Sequence, residues 1–188
     1  MQPFHKTLIT TQVIMIALAG GLMVVAGVIV YIVLQFKPNG FMGPNPPQIG
    51  PFPIITTTLC GMSAVVLLIS FIIPRIHAPV LLAYLRKQGQ SVVGEFTSWE
   101  TSDFTWLQRV PSETLDTLLG GFLSTKIVMV ALCEGAGMMC AVVYLLESYW
   151  IALALIVLAI VLILARVPTQ SSLNAWLFTQ VEQLRRKQ

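Results

Sequence analysis

Four apolar runs, each close to the length that crosses a lipid bilayer, constrain this chain more than any other feature. They lie at about Ile9–Leu34, Ile54–Ile73, Lys126–Leu146 and Tyr149–Ala165. A helical crossing needs about 20 mostly apolar residues. Only 10% of the chain is charged, against roughly 25% in an ordinary soluble domain. The sequence therefore predicts an all-α polytopic membrane protein with four transmembrane helices. The first run follows Lys6 but stays uncharged for 30 residues, as far as Lys37. That is too long for the apolar core of a secretory signal, so it reads as a mature helix.

The basic residues set the orientation. Lys6 precedes the first run; Arg75, Arg86, Lys87, Arg109 and Lys126 lie between the second and third; Arg166, Arg185, Arg186 and Lys187 follow the fourth. Lys37 alone falls on the other side. This asymmetry predicts cytoplasmic termini in a multi-pass protein of the cell inner membrane. Arg75, Arg86, Lys87, Arg166, Arg185, Arg186 and Lys187 read as membrane-surface charges, and no nucleic acid is needed to explain them. Arg75 and Arg166 in particular read as side chains that snorkel to the interface.

Three regions follow. Residues 1–87 form a first hairpin unit, with an external loop at 37–53 that packs six prolines and three glycines into 17 residues. Such a loop suppresses both helix and central strand. After Pro74 and Pro79, residues 80–87 read as a short helix at the cytoplasmic interface. Residues 88–123 form a cytoplasmic connector: Val92–Thr97 and Phe104–Leu107 suggest a small hairpin, Ser112 a helix N-cap, and Gly120-Gly121 a bend. Residues 124–188 form a second hairpin unit whose tail, 169–187, carries Leu173, Trp176, Leu177, Val181 and Leu184 on one stripe. That pattern predicts an amphipathic helix lying on the membrane surface.

The two units resemble each other. An offset of 114 pairs Thr11 with Thr125, Met15 with Met129, Ala17 with Ala131, Leu18 with Leu132, Gly21 with Gly135 and Val28 with Val142. Each second helix ends alike, with Ala83-Tyr84-Leu85 matching Ala175-Trp176-Leu177. Both copies enter from the same side, so the reading is a parallel repeat about an axis along the membrane normal. Small residues at Ala17, Gly20, Gly21 and Gly27 in one copy, and Ala131, Gly137 and Ala141 in the other, predict close helix packing.

Glu134 is the anomaly. It lies eight residues beyond Lys126, about 12 Å into the helix, where an ionisable group is expensive. No lysine, arginine or histidine is expected at its depth. One reading has it hydrogen-bonding across the bundle, to Ser63, Ser70 or a carbonyl near Gly20, the residue that holds its place in the first copy of the repeat. The other makes it a proton-binding or ion-binding carboxylate. Cys60, Cys133 and Cys140 form no paired motif, His5 and His77 stand apart, and the methionines read as packing, so neither metal nor cofactor is expected. No catalytic signature appears, which predicts a non-enzymatic protein.

Two resemblances add to this. Thr10-Thr11-Gln12, Ala131-Leu132-Cys133-Glu134-Gly135 and Arg166-Val167-Pro168-Thr169 resemble motifs in a group of small four-helix bacterial membrane proteins; that likeness implies an architecture and no activity. The Ala-Leu-x-Glu-Gly stretch is also similar to the carboxylate-bearing helix of rotary ATPase subunit c, which implies a proton or sodium ligand at Glu134. The chain departs from subunit c in placing the acid in the first helix of its hairpin and in lacking the glycine-rich partner helix. The expected role is a structural or accessory subunit in the lipid bilayer, packed as a homo-oligomer or with other membrane protein subunits. The alternative is proton or ion translocation through Glu134.

Overall fold

The structure, a computed structural model, describes residues 2–36, 48–49, 52–87 and 110–186. Apart from short turns, the described residues are helical, with one antiparallel pairing of Gln48–Ile49 with Phe52–Pro53. The helices are α1 (Gln2–Phe36), α2 (Gly61–Lys87), α3 (Ser112–Glu147), α4 (Trp150–Ala165) and α5 (Gln170–Arg186), with a π-helical turn at Thr56–Cys60 ahead of α2. Three helical stretches are long and apolar enough to cross a membrane: His5–Phe36, Thr56–Leu85 and Ser112–Glu147. A fourth joins them if α4 is taken together with Gln170–Leu184.

Two sequence expectations change here, and a third goes untested. Residues 80–87 are not a separate interfacial helix; they are the last turns of α2, which runs through Pro74 and Pro79. Each proline costs one ladder bond but already has a helical φ, and beyond them Leu82 and Leu85 are buried in an apolar core. Gly120-Gly121 makes no bend, because α3 continues across it. A Cβ on Gly121 would overlap the Leu81 side chain, so this glycine serves helix packing. The hairpin suggested at 92–107 lies outside the described residues.

The chain divides into two compact units. One comprises residues 1–12, 72–127 and 168–188. Its core gathers Leu8, Leu82, Leu85, Leu118, Leu119 and Phe122 around Leu173, Leu177, Val181 and Leu184. The apolar stripe of α5 is therefore covered by the chain itself, which corrects the expectation of a helix lying on lipid. Trp176 packs against Phe122 at 5.3 Å between ring centroids, and Gln12 Nε2 donates to the Pro168 carbonyl at 2.8 Å.

The other unit comprises residues 13–71 and 128–167. Its core has two adjoining parts, one around Met15, Leu22, Leu67, Cys133, Ala159 and Ile163, the other around Ala26, Cys60, Cys140, Val143, Ala152 and Ile156. Outward-facing aliphatics are abundant. Only 22% of the most apolar stretch of α1 is buried within the chain, and 22% for the Thr56–Leu85 helix, against 50% for α3. Most of the apolar surface of the first two thus needs a nonaqueous neighbour.

Burial recurs at the 114-residue offset. Met15 and Met129, Ala19 and Cys133, Leu22 and Ala136, and Ala26 and Cys140 are buried pairs, while Ala17 and Ala131, Gly21 and Gly135, and Val28 and Val142 are exposed pairs. Thr11 Oγ1 donates to the Thr7 carbonyl at 2.8 Å, and Thr125 Oγ1 donates to Gly121 at 2.7 Å, one bond displaced by the same offset. The match breaks on one flank. Val130, Gly137 and Ala141 are buried, but their counterparts Ile16, Met23 and Gly27 are exposed. Among the described residues, helix α3 therefore has neighbours on a side where α1 is exposed.

Candidate functional site

Glu134 sits at the margin of that extra buried flank, with Val130 and Gly137 buried on one side and Ala131 and Met138 exposed on the other. It is half-buried and makes no hydrogen bond or ion pair among the described residues. The expected network with Ser63, Ser70 and Gly20 does not form. Cys133, which faces Ser70, precedes Glu134 by about 100° of helical turn, so the carboxyl points away from that contact. A Cβ on Gly20 would meet nothing within 4 Å, so Glu134 does not fill the space beside it. Ser63 is fully buried, and its Oγ meets no hydrogen-bond partner in good geometry among the described residues.

The small residues split into two groups. Gly137 and Ala141 pack inside the chain: a Cβ on Gly137 would lie 2.6 Å from Leu22 Cδ2 and 3.3 Å from Ala159 Cβ. Ala17, Gly21, Gly27 and Ala131 face outward, and Gly135 joins them. At Gly21, Gly27 and Gly135 an added Cβ would meet nothing within 4 Å.

Arg166 overturns the snorkelling expectation. Its Nη1 donates to Ser70 Oγ at 2.9 Å and to Cys133 Sγ at 3.1 Å. Its Cζ lies 4.4 Å from the centroid of the Phe71 ring. Ser70 is prepared for this contact, because its own proton goes to the Leu67 carbonyl at 2.6 Å and leaves its lone pairs free. A cationic group thus reaches the residue next to Glu134, which sequence reasoning did not anticipate. The available signal was the 16-residue length of α4, about 24 Å of helix and shorter than the roughly 30 Å that the expected crossing would need. Of the remaining surface charges, Arg75 and Lys87 are exposed. The side chains of Arg86, Arg185 and Arg186, and the whole of Lys187, fall outside the described set.

A second carboxylate, Glu147, was missed. It is buried at the end of α3, where Oε1 accepts from the Ile55 N–H at 3.2 Å and Oε2 accepts from the Thr56 N–H at 2.8 Å and the Thr56 hydroxyl at 2.6 Å. It thereby satisfies donors that a helix start leaves open, with charge of the sign that the helix dipole favours there. The neighbouring hydroxyls of Thr57 and Thr58 bond back to the Pro53 and Ile54 carbonyls, competing with the regular ladder where the turn widens to π. Beyond Glu147 the chain reverses through Ser148 at φ 52, a left-handed conformation that only a tight turn justifies in a non-glycine residue.

His5 is exposed. His77 Nδ1 lies 2.8 Å from the Thr125 hydroxyl, which also lies 2.7 Å from the Gly121 carbonyl. Among the described residues no three His, Cys, Asp or Glu side chains converge as metal ligands. No protein-family model, curated protein or solved structure matches this chain. The functional reading therefore stands on the chain's own geometry.

Proposed function

We propose that this chain is a non-enzymatic, polytopic protein of the cell inner membrane that serves as a structural or accessory subunit. It packs against copies of itself or other membrane proteins through outward faces of α1 and α3. In this reading four helices cross the bilayer as two parallel-repeat hairpins, with both termini cytoplasmic. Burial in register at the 114-residue offset supports the repeat. The span lengths support an extension beyond the membrane: the 36 residues of α3 make about 54 Å of helix against a core about 30 Å thick.

The observation that carries the proposal is that Glu134 has no partner among the described residues and lies beside the open Ala131 and Gly135 face. A carboxyl within an apolar layer is costly when unpaired, and small residues four apart admit a second helix close enough to pair with it. The repeat places Ala17 and Gly21 on the matching face of α1, equally open.

Gly135→Leu tests the idea, because the site has room and the chain's own fold should tolerate the added side chain. The expected result is loss of the higher-mass species in mild detergent, with association weakened at least about tenfold, the scale of one lost close-packed contact with its hydrogen bond. Unchanged mass for Gly135→Leu and Glu134→Gln alike would contradict it.

A second reading, proton or ion translocation, draws on the same half-buried, unpaired Glu134 and on the cationic Arg166 group beside Cys133. It expects proton or sodium flux in proteoliposomes that Glu134→Gln abolishes. Equal flux in both proteins, or none in either, removes it.

A further inference from the structure

We propose that the outward face of α2 in one copy of this chain packs against the outward face of α3 in a second copy, an inference that rests on the subunit reading above and names what fills the α3 face. Helix α2 turns Ile69, Ile72, Ile76 and Val80 outward, and Lys87 closes the same stripe. Their spacing of three, four, four and seven residues keeps them on one side of the helix. Lipid covers only part of that stripe. Val80 lies 26 residues beyond Ile54, about 39 Å along the helix, whereas the hydrocarbon core is about 30 Å thick and its head groups add about 5 to 7 Å a side. An apolar side chain 61% exposed at that distance faces water unless a protein covers it.

Contacts within the chain give the depth of each position. Thr56 meets Glu147, Ser70 meets Cys133, His77 meets Thr125, and Leu81 lies against Gly121. One residue down α2 is therefore one residue back along α3. To within half a helical turn, Ile69 is level with Gly135, Ile72 with Ala131, Val80 with Ser124 and Lys87 with Asp116. All four of these α3 residues face outward. Copies inserted the same way in one bilayer share these depths, so the α2 stripe of one meets the α3 stripe of the next in register.

Shape and charge select this pairing over the alternatives between two copies. Bulky side chains of α2 fall opposite glycine, alanine and serine of α3, which lets a ridge enter a groove. At the end past the bilayer Lys87 falls opposite Asp116; both are exposed and make no hydrogen bond or ion pair among the described residues. Two α2 faces would set bulk against bulk and Lys87 against Lys87. Two α3 faces would set Asp116 against Asp116, with like charges opposed.

The full chain carrying Val80→Cys and the full chain carrying Ser124→Cys are co-expressed with different tags, and their membranes are treated with a bismaleimide about as long as the 8 to 10 Å between packed helix axes. Both sites are exposed, whereas Cys60, Cys133 and Cys140 are buried, and the native chain supplies the background. The expected result is a link between the two differently tagged chains, well above what either variant gives alone. Lys87→Glu lowers its yield about threefold, the scale of one exposed ion pair, and Asp116→Lys added to the same chains restores it. A link no stronger than either variant gives alone, a yield that Lys87→Glu leaves unchanged or Asp116→Lys fails to restore, or linkage only to a protein of another mass overturns the proposal. Mass in mild detergent separates the two levels of inference. A multimer without the link refutes only this pairing of faces, whereas a strictly monomeric chain with no co-purifying subunit refutes the subunit reading itself.

Discussion

Replacing Glu147 with alanine is expected to lower the stability of the folded chain by about 3 kcal/mol, the scale of losing several hydrogen bonds to one charged acceptor. Three donors converge on that carboxylate: the Ile55 N–H, the Thr56 N–H and the Thr56 hydroxyl. Thr56 is 2% exposed, so its stranded N–H would find little water in compensation, and a buried unpaired donor carries its full desolvation penalty. Glu147→Gln should fall between, since its amide oxygen still accepts while its NH2 faces other donors. Thr56→Val should cost least, because it removes only the hydroxyl. Unfolding followed by denaturant titration in mixed micelles gives this order, and a Glu147→Ala protein within about 0.5 kcal/mol of native, the size of an ordinary surface substitution, would contradict the capping account.

Leu177→Ala is expected to cost about 2 to 5 kcal/mol, as truncation of a buried leucine does. Leu177 is fully buried among Leu82, Leu85, Leu118 and their neighbours. The experiment also separates two pictures of α5. If its apolar stripe lay on lipid, the truncation would spare folding, because lipid would close over the gap. If the stripe forms the core seen here, a cavity remains and protease resistance of the 168–186 segment falls with stability. Loss without change in global stability would contradict the core assignment.

The apolar runs were legible because hydrophobic length is a one-dimensional property. Boundaries were less so. Pro74 and Pro79 read as a stop, yet α2 continues to Lys87, since Leu82 and Leu85 are buried beyond them. The stripe on α5 was visible, but amphipathicity specifies a face and leaves open whether lipid or protein covers it. The small residues failed in the same way: Gly137 packs against Leu22 and Ala159 while Gly135, two positions earlier, opens outward. Only the placement of neighbouring helices distinguishes them.

Charged groups were the hardest to place. Glu134 stood out because its surroundings in sequence are uncharged, but its orientation depends on which flank of α3 is covered. Arg166 looked like any charge that ends a span, and its inward turn requires Ser70 and Cys133, 96 and 33 residues away. Glu147 sits in the short link ahead of Tyr149 and Trp150, where nothing local marks it out. Its role as a cap depends on the start of the helix near Ile55, 92 residues earlier.

The most direct test of assembly through the open face is photo-crosslinking in intact membranes, with a benzophenone side chain placed at Gly135, at Gly21, or at Val161 on α4, which is 54% exposed. The account predicts a discrete protein adduct of defined mass from Gly135 and Gly21, and only lipid adducts from Val161. Lipid adducts alone at all three positions would contradict it.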